Sequence, residues 1–304
     1  MRLRQVVRYI IHPKEIIIAL ISRGYLMIVP EKSYLELRYE QRMHQKLNLR
    51  NPQTFNEKLQ WLKLYDRRQE YTTMVDKYTA KKWVADCIGE EYLIPTLGVW
   101  DHFDDIDFDS LPEQFVLKCT HDSGGLVIVK DKSKLDKQAA RKKIEKCLKR
   151  NYYYFGCEWP YKDVKPRIIA EQFMSNNGHD LIDYKVHCFS GVPRIVLVCD
   201  GRFSKTGFTE DFYDVAWNRL PVRRPHHPNA ANQINKPVQL DEMLMLSEKL
   251  SSNIPFLRVD FYIIQEKLFI GELTFYPASG FTPFIPDEWD LTIGEWLVLP
   301  NDVG

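Results

Sequence analysis

The chain of 304 residues sets 42 lysines and arginines against 41 aspartates and glutamates, a formal net charge of +1, with 44% hydrophobic and 13% aromatic residues. That balance excludes a disordered chain, which would lack the aromatics, and gives no electrostatic footprint for a nucleic-acid partner. Six scattered cysteines (Cys87, Cys119, Cys147, Cys157, Cys188, Cys199) include no CxxC pair, which argues against a disulfide scaffold or zinc knuckle and for reduced thiols in a reducing compartment.

Residues 1–30 are basic, with Arg2, Arg4, Arg8, Lys14 and Arg23 against Glu15 alone. The apolar run from Ile16 to Ile21 is too short to cross a bilayer and has no small-residue cleavage site behind it. It reads as a helix packed on the main domain, with peripheral contact to an anionic membrane surface as the alternative. Either way the chain reads as cytoplasmic, at most at the inner face of the membrane. Residues 31–100 carry helical periodicity, YLELRYEQRMHQKL and then TFNEKLQWLKLY, with a break at Pro52. Thr54 followed three residues on by Glu57 is a capping box. Asp76-Lys77 precedes another helix that Gly89 stops, and YLIPTLGVW is a short strand. The segment from Asp101 to Asp109 holds five aspartates and reads as a solvated loop.

Strands are expected at 115–119 and 126–129, joined by Thr120-His121-Asp122-Ser123-Gly124-Gly125, at 167–174, and at 183–189 and 194–200, joined by Ser190-Gly191. A basic helix is expected over 136–150, a polar excursion over 201–237 and a helix over 240–251. Many strands interspersed with helices, without regular βα alternation, describe an α+β architecture.

The densest chemical signal lies near the C-terminus. Asp260 in LRVDFYII and Glu272 in LFIGELTFY flank a hairpin-sized break, Gln265-Glu266-Lys267. Antiparallel pairing brings the two carboxylates together in an apolar setting, where a carboxylate is costly unless a cation or strong donors compensate it. Two readings stay open: a divalent ion, Mg²⁺ or Mn²⁺ given oxygen-only ligands, or structural carboxylates balanced by Arg258 and a lysine. Lys118 sits in a strand just before Ser123-Gly124-Gly125, whose backbone can approach a polyphosphate; a plain hairpin turn explains the same residues. Lys77 is a second cation, or a first-turn lysine behind a capping Asp76. Asp183 and Lys185 share one strand face and suit a ribose and a phosphate, or form an exposed cross-strand pair. No Walker A, GxGxxG, GxSxG or HExxH motif occurs.

The phrases NPQTFNEKLQWLKLYD, DKYTAKKWV, FVLKCTHDSGG, DYKVHCFSG and RVDFY…GELTFYPASGF together resemble the TupA-like ATP-grasp family over about residues 31–290. That family is named for a teichuronopeptide synthesis protein and occurs among polysaccharide-assembly enzymes. The resemblance implies a helical region over 1–75 and an ATP-grasp domain over 76–304, with 115–180 as the smaller lid subdomain. Two α+β subdomains would clamp ATP. Lys77 and Lys118 would touch the α- and β-phosphates, and Ser123, Gly124 and Gly125 would close over them. Glu171, Gln172, Phe173 and Met174 would line the adenine, and Asp183 would face the ribose. Asp260, Glu272 and Thr274 would hold one or two Mg²⁺ ions, and Arg258 would meet the transferred phosphoryl group. Thr274 stands where many members have Asn, and Asp122 is an acid in a loop that should cover phosphate.

The chemistry implied is the joining of a carboxylate to an amine. The carboxylate attacks the γ-phosphate to give an acyl phosphate, and the amine displaces phosphate to leave an amide. Pro277-Ala278-Ser279-Gly280 is a turn able to offer backbone N–H donors to that intermediate. The family association suggests an acidic sugar, a uronic acid of a surface polysaccharide or its precursor, as carboxylate donor and an amino acid as amine. Alternatives are a phosphotransferase of the same fold acting on a hydroxyl, and a glycosyltransferase or scaffold of the same pathway, for which Asp105-Ile106-Asp107 is a formal DxD match.

Overall fold

The computed structural model describes residues 13–26, 28–176, 181–202 and 207–300. Arg2, Arg4 and Arg8 of the basic segment lie outside the described residues, as do residues 177–180 at the end of the expected lid. Among the described residues, no helix is long and apolar enough to cross a membrane.

Helices come first: α1 (Pro13–Ile21), α2 (Glu31–Met43), α3 (Phe55–Tyr65), α4 (Gln69–Val75) and α5 (Thr79–Ile88). The capping box forms at the head of α3, where Thr54 Oγ1 accepts from Glu57 N at 3.2 Å and Glu57 Oε2 accepts from Thr54 N at 3.1 Å. Gly89 ends α5 with φ +117°, a conformation that glycine adopts without penalty. Helices α1 and α2 bury Ile18, Ile21, Tyr34, Leu35 and Tyr39 against Tyr153, Cys157 and Phe281 of the main body. The short helix α4 has no strong sequence signal; it forms because Tyr71, Met74 and Val75 are buried together in the main core.

The strands make two antiparallel sheets. The smaller contains β1 (Thr96–Trp100), β2 (Phe115–Cys119), β3 (Leu126–Val129) and β4 (Ile168–Gln172) in the order β1-β4-β2-β3. Phe115, Leu117 and Cys119 alternate inward and pack with Ala140, Ile144 and Cys147 of helix α6 (Lys137–Leu148). The acidic segment 101–109 is only partly a solvated loop: its aspartates are exposed, whereas Phe103, Ile106 and Phe108 are buried in this same core. The alternation of β2 and β4 turns Lys118 and Glu171 toward the opposite face.

The larger sheet contains β5 (Asp183–Phe189), β6 (Val192–Asp200), β7 (Thr209–Asp214), β8 (Phe256–Ile264) and β9 (Lys267–Thr274) in the order β7-β6-β5-β8-β9. Its two tight turns, Ser190-Gly191 (φ +49° and +84°) and Gln265-Glu266 (φ +49° and +66°), have the left-handed pair that matches the twist of flanking strands. Strand β7 departs from the polar excursion that the sequence suggests over 201–237. Its TEDFYD segment buries Phe212 and Tyr213, and Asp211, fully buried, is neutralised by Arg219 at 2.5 Å. Helix α7 (Tyr153–Gly156) lies between β3 and β4 along the chain, α8 (Leu240–Leu250) packs on β5, β6 and β8, and α9 (Glu288–Trp296) packs on α3.

Candidate active site

One face of the larger sheet is polar because its register puts acids and bases on neighbouring rungs. Asp183 faces Tyr262, Lys185 faces Asp260 and His187 faces Arg258, while on the next ladder Asp260 faces Glu272 and Arg258 faces Thr274. A β-bulge lies between the pairs Asp260–Glu272 and Phe261–Ile270. Without that extra residue, the pairing of Phe261 with Ile270 would set Gly271, not Glu272, opposite Asp260.

Asp260 is 2% exposed and saturated with donors. Arg258 Nε donates to Oδ1 at 2.6 Å and Arg258 Nη2 to Oδ2 at 2.7 Å, and the Lys185 ammonium bonds the same Oδ2. Arg258 Nη2 also reaches Glu272 Oε1 at 2.9 Å, and Thr274 Oγ1 donates to that oxygen at 3.3 Å. Burial opposes the charge on Lys185, yet Asp260 outweighs it and holds the ammonium above the usual lysine range. Burial likewise opposes Arg258, and Asp260 followed by Glu272 outweighs it. Asp183 is bonded by Arg202 Nη2 at 2.8 Å and lies 3.9 Å from Lys185. Beside it, burial and the Asp183 charge keep the Tyr262 phenol well above its usual range.

Facing this sheet is a cleft lined by Lys77, Lys81, Lys118, Tyr161, Glu171 and Glu272, with an apolar wall that includes Met74, Val84, Leu93, Ile270 and Leu273. Glu171, buried at the end of β4, bridges two lysines: Lys118 Nζ is 2.5 Å from Oε2 and Lys81 Nζ is 2.6 Å from Oε1. Burial works against this carboxylate, but Lys118 and Lys81 outweigh it and hold its carboxyl below the usual range. Three lysines against Glu171 and Glu272 leave the lining net positive. Lys81 and Tyr161 are not among the residues the sequence singles out. Lys81 had a signal, since it stands one helical turn after Lys77 on the same face; Tyr161, beyond α7, had none.

Lys77 is stitched to the glycine loop. Its ammonium donates to Asp122 O at 2.7 Å and its backbone N–H to Thr120 O at 3.0 Å. Asp76, 3% exposed, accepts from Arg167 Nη2 at 2.6 Å and from Tyr78 N at 3.0 Å. The acid that seemed out of place, Asp122, turns its side chain behind the loop: Oδ2 takes Arg150 Nη2 at 2.7 Å and Oδ1 accepts Ser123 N at 2.6 Å. Its charge is therefore spent on Arg150 rather than directed at the cleft. Ser123 and Gly124 are exposed at the loop tip, and Gly125 is buried. A Cβ on Gly125 would sit 2.5 Å from Cys147 Sγ and 2.6 Å from Cys119 Sγ, so only glycine lets the loop close on the α6 core.

The structure thus forms two constellations that share Glu272: the lysine-lined cleft, and the Asp183–Lys185–Arg258–Asp260–Thr274 array on the sheet. Gln172 and Phe173 are not part of either. They line a separate depression with Leu97, Glu113 and Lys130, and Met174 is half-buried just beyond. Among the described residues, no group of three or more His, Cys, Asp or Glu side chains is arranged to hold a metal ion alone. Asp260, Glu272 and Thr274 nonetheless form an all-oxygen donor set, and Mg²⁺ is commonly held by one or two carboxylates with phosphates and water filling the remaining positions. The set fits Mg²⁺ in that form once Arg258 or Lys185, which hold both Asp260 oxygens here, gives way; Glu272, its side chain 45% exposed, is the more accessible donor.

Comparison with known proteins places this architecture. A family model described as TupA-like ATPgrasp matches residues 57–298, well over half of the chain. No curated protein matches it. Among solved structures, the D-alanine–D-alanine ligase from Bacillus anthracis complexed with ATP is similar at 17% identity and a TM-score of 0.39, over 66% of this chain and 53% of that one. The D-alanine–D-alanine ligase from Helicobacter pylori matches at 16% identity and a TM-score of 0.39, over 81% of this chain and 69% of that one. The ATP-grasp ligase PsnB, complexed with a phosphomimetic variant of its minimal precursor, Mg and ADP, matches at 11% identity and a TM-score of 0.39, over 71% of this chain and 56% of that one. This chain therefore spans little more than half the length of the Bacillus anthracis ligase and of PsnB. The chain belongs to the TupA-like ATP-grasp family and has the ATP-grasp fold, with two antiparallel sheets.

Proposed function

We propose that this chain is an ATP- and Mg²⁺-dependent ligase that joins an amine, an amino acid, to a carboxylate through an acyl phosphate; Mn²⁺ suits the same donors. The observation that carries this reading is a single cleft in which Lys77, Lys81 and Lys118 share the lining with Glu272, while Arg258 bonds Glu272 and Asp260 behind it. The apolar wall suits a flat base, and the lysines suit a polyphosphate tail. Bound Mg²⁺ would supply neutralisation of the phosphate charge, through Glu272 and Asp260. Arg258, fixed by Asp260, would meet charge developing on the transferred phosphoryl group. Tyr161 and the apolar residues limit water, which would otherwise hydrolyse an acyl phosphate.

The substrate class rests on the family's place among polysaccharide-assembly enzymes: a uronic acid of a surface polysaccharide or its precursor. Outside the cleft, Lys142, Lys143 and Lys146 on α6 are exposed, whereas three arginines are committed. Arg141 on α6 is paired with Asp104, Arg219 with Asp211, and Arg224 is buried. The reacting carboxylate of an anionic sugar is expected at the cleft mouth, where the phosphoryl group is transferred, and the exposed lysines of α6 are open to the rest of it. The test is incubation with ATP, Mg²⁺, a uronic-acid oligosaccharide and pooled amino acids, followed by measurement of ADP and phosphate. Equal release of both, dependent on both substrates, is expected. ADP without free phosphate would assign a phosphotransferase, and no substrate-dependent ADP would remove this version.

A further inference from the structure

Helix α3 carries a polar stripe that is wholly buried. Asn56, Gln60 and Lys63, spaced as one helix face, are each 0% exposed. All three donate to the chain between Ser279 and Thr282. Asn56 Nδ2 reaches Thr282 O at 3.3 Å, and Gln60 Nε2 reaches Gly280 O at 2.8 Å and Ser279 O at 3.2 Å. Lys63 Nζ reaches Ser279 O at 2.8 Å and Ser279 Oγ at 3.0 Å, and donates to Gln60 Oε1 at 2.9 Å. Burial pulls Lys63 down to about 7, against the opposing pull of Glu158. Apolar side chains of similar volume would serve stability as well or better, because they need no partners. The matched donors therefore call for another reason.

That reason is the shape of the segment they hold. Ala278 and Ser279 have φ of +50° and +54°, followed by Gly280 at +61°. Successive left-handed residues are unfavourable for L-amino acids and persist where their surroundings over-determine them, often at functional sites. Close packing adds to the hold: a Cβ on Gly280 would lie 2.4 Å from Gln60 Nε2, and one on Gly156 would lie 2.1 Å from Ser279 Oγ. The turn begins three residues after Thr274, which ends β9 and bonds Glu272. Glu158 couples the two places: its buried carboxyl interacts with the Ser279 side chain and feels the charge of Glu272, and its Oε1 has no hydrogen-bond partner.

We propose that Asn56, Gln60 and Lys63 are positioning residues that lock the turn 277–280 beyond the end of β9, an inference that rests on the ligase reading, in which the turn meets the acyl phosphate. The N-terminal helices are then part of the reaction machinery rather than an appendage to it.

The experiment compares the full-length wild type with Lys63→Met and Gln60→Leu, the second variant serving if the first does not fold. Three quantities are read: amide hydrogen exchange of the peptide spanning 276–284, ATP·Mg affinity by calorimetry, and kcat with KM for ATP in the uronate and amino-acid assay. The expected result is exchange at least tenfold faster in that peptide, ATP·Mg affinity within twofold of wild type, and kcat at least tenfold lower at unchanged KM. Unchanged exchange in both variants overturns the proposal. So does unchanged kcat, or a loss of nucleotide affinity that parallels the loss of kcat, which would mark a general structural role. A wild type that forms no ADP removes the ligase reading instead, and the exchange measurement still decides whether the stripe holds the turn.

Discussion

Lys118→Met retains most of the side-chain stem and removes one of the two ammonium groups on Glu171. In the free protein Lys81 remains 2.6 Å from the other carboxylate oxygen, so Glu171 keeps a counter-charge. The Lys118 side chain is also 24% exposed, and the stability loss should stay at about 1 kcal/mol, the upper range for accessible ion pairs, or roughly 2 °C in Tm. Nucleotide binding should suffer far more. A hydrogen bond from an ammonium to a phosphate contributes about 1.5–3 kcal/mol, and every 1.4 kcal/mol is tenfold in Kd. The substitution should therefore weaken ATP·Mg binding by roughly 10- to 150-fold. Calorimetric titration of ATP·Mg into the wild type and the variant measures this, with Lys134→Met as control, because the Lys134 side chain is 81% exposed and pairs with Asp131. A loss under about threefold, or an equal loss in the control, would refute the placement of Lys118 on the phosphates.

The two metal-side carboxylates should behave differently. Glu272→Gln alters a half-exposed side chain, so Tm should move by no more than about 2 °C, while the Mg²⁺ concentration needed for half-maximal ATP binding rises about tenfold or more. Asp260→Asn takes from buried Arg258 and Lys185 the anion they share, a loss of about 3–5 kcal/mol that thermal unfolding should show as a fall of roughly 5–8 °C. Equal effects of the two on Tm would contradict the burial argument. Burial, and then Arg258, hold His187 well below the usual histidine range; its ring also meets Lys185 O and the charges of Arg224 and Lys185. Below about pH 6.5 the unfolded chain binds a proton at this position that the folded chain does not, so stability falls as pH drops through that window. His187→Gln should flatten the slope of Tm against pH between about 6.5 and 5, and an unchanged slope would exclude this residue as the cause. Gly125→Ala forces a Cβ against two buried sulfurs and should destabilise by about 1–3 kcal/mol with weaker ATP·Mg binding; full stability and affinity together would show that the loop is not packed as described.

Much of this arrangement was legible because it is local. Alternation in FVLKC, DYKVHCF and LRVDFYII set which side chains share a face, and the short break at Gln265-Glu266 set Asp260 near Glu272. The pairing of Asp122 with Arg150, by contrast, crosses a strand and a helix, and no local pattern announces it. Strand β7 was hidden because TEDFYD is acidic, and its buried Asp211 needs Arg219, which lies beyond the strand. In the segment 101–109 the aspartates outweighed the apolar residues between them, although Phe103, Ile106 and Phe108 are what anchor it. Asn56, Gln60 and Lys63 look like the wet face of an amphipathic helix; only the turn 277–280 and α9, folded over them from far along the chain, make that face an interior one.

The most direct test is a crystal structure of the chain with Mg²⁺ and a non-hydrolysable ATP analogue. The account predicts the polyphosphate against Lys77 and Lys118, the base on the Met74–Leu93 wall, and Mg²⁺ on Glu272 and Asp260, with Arg258 or Lys185 drawn off the Asp260 carboxylate to admit it. An analogue bound outside the cleft, or a metal held by neither carboxylate, would contradict it.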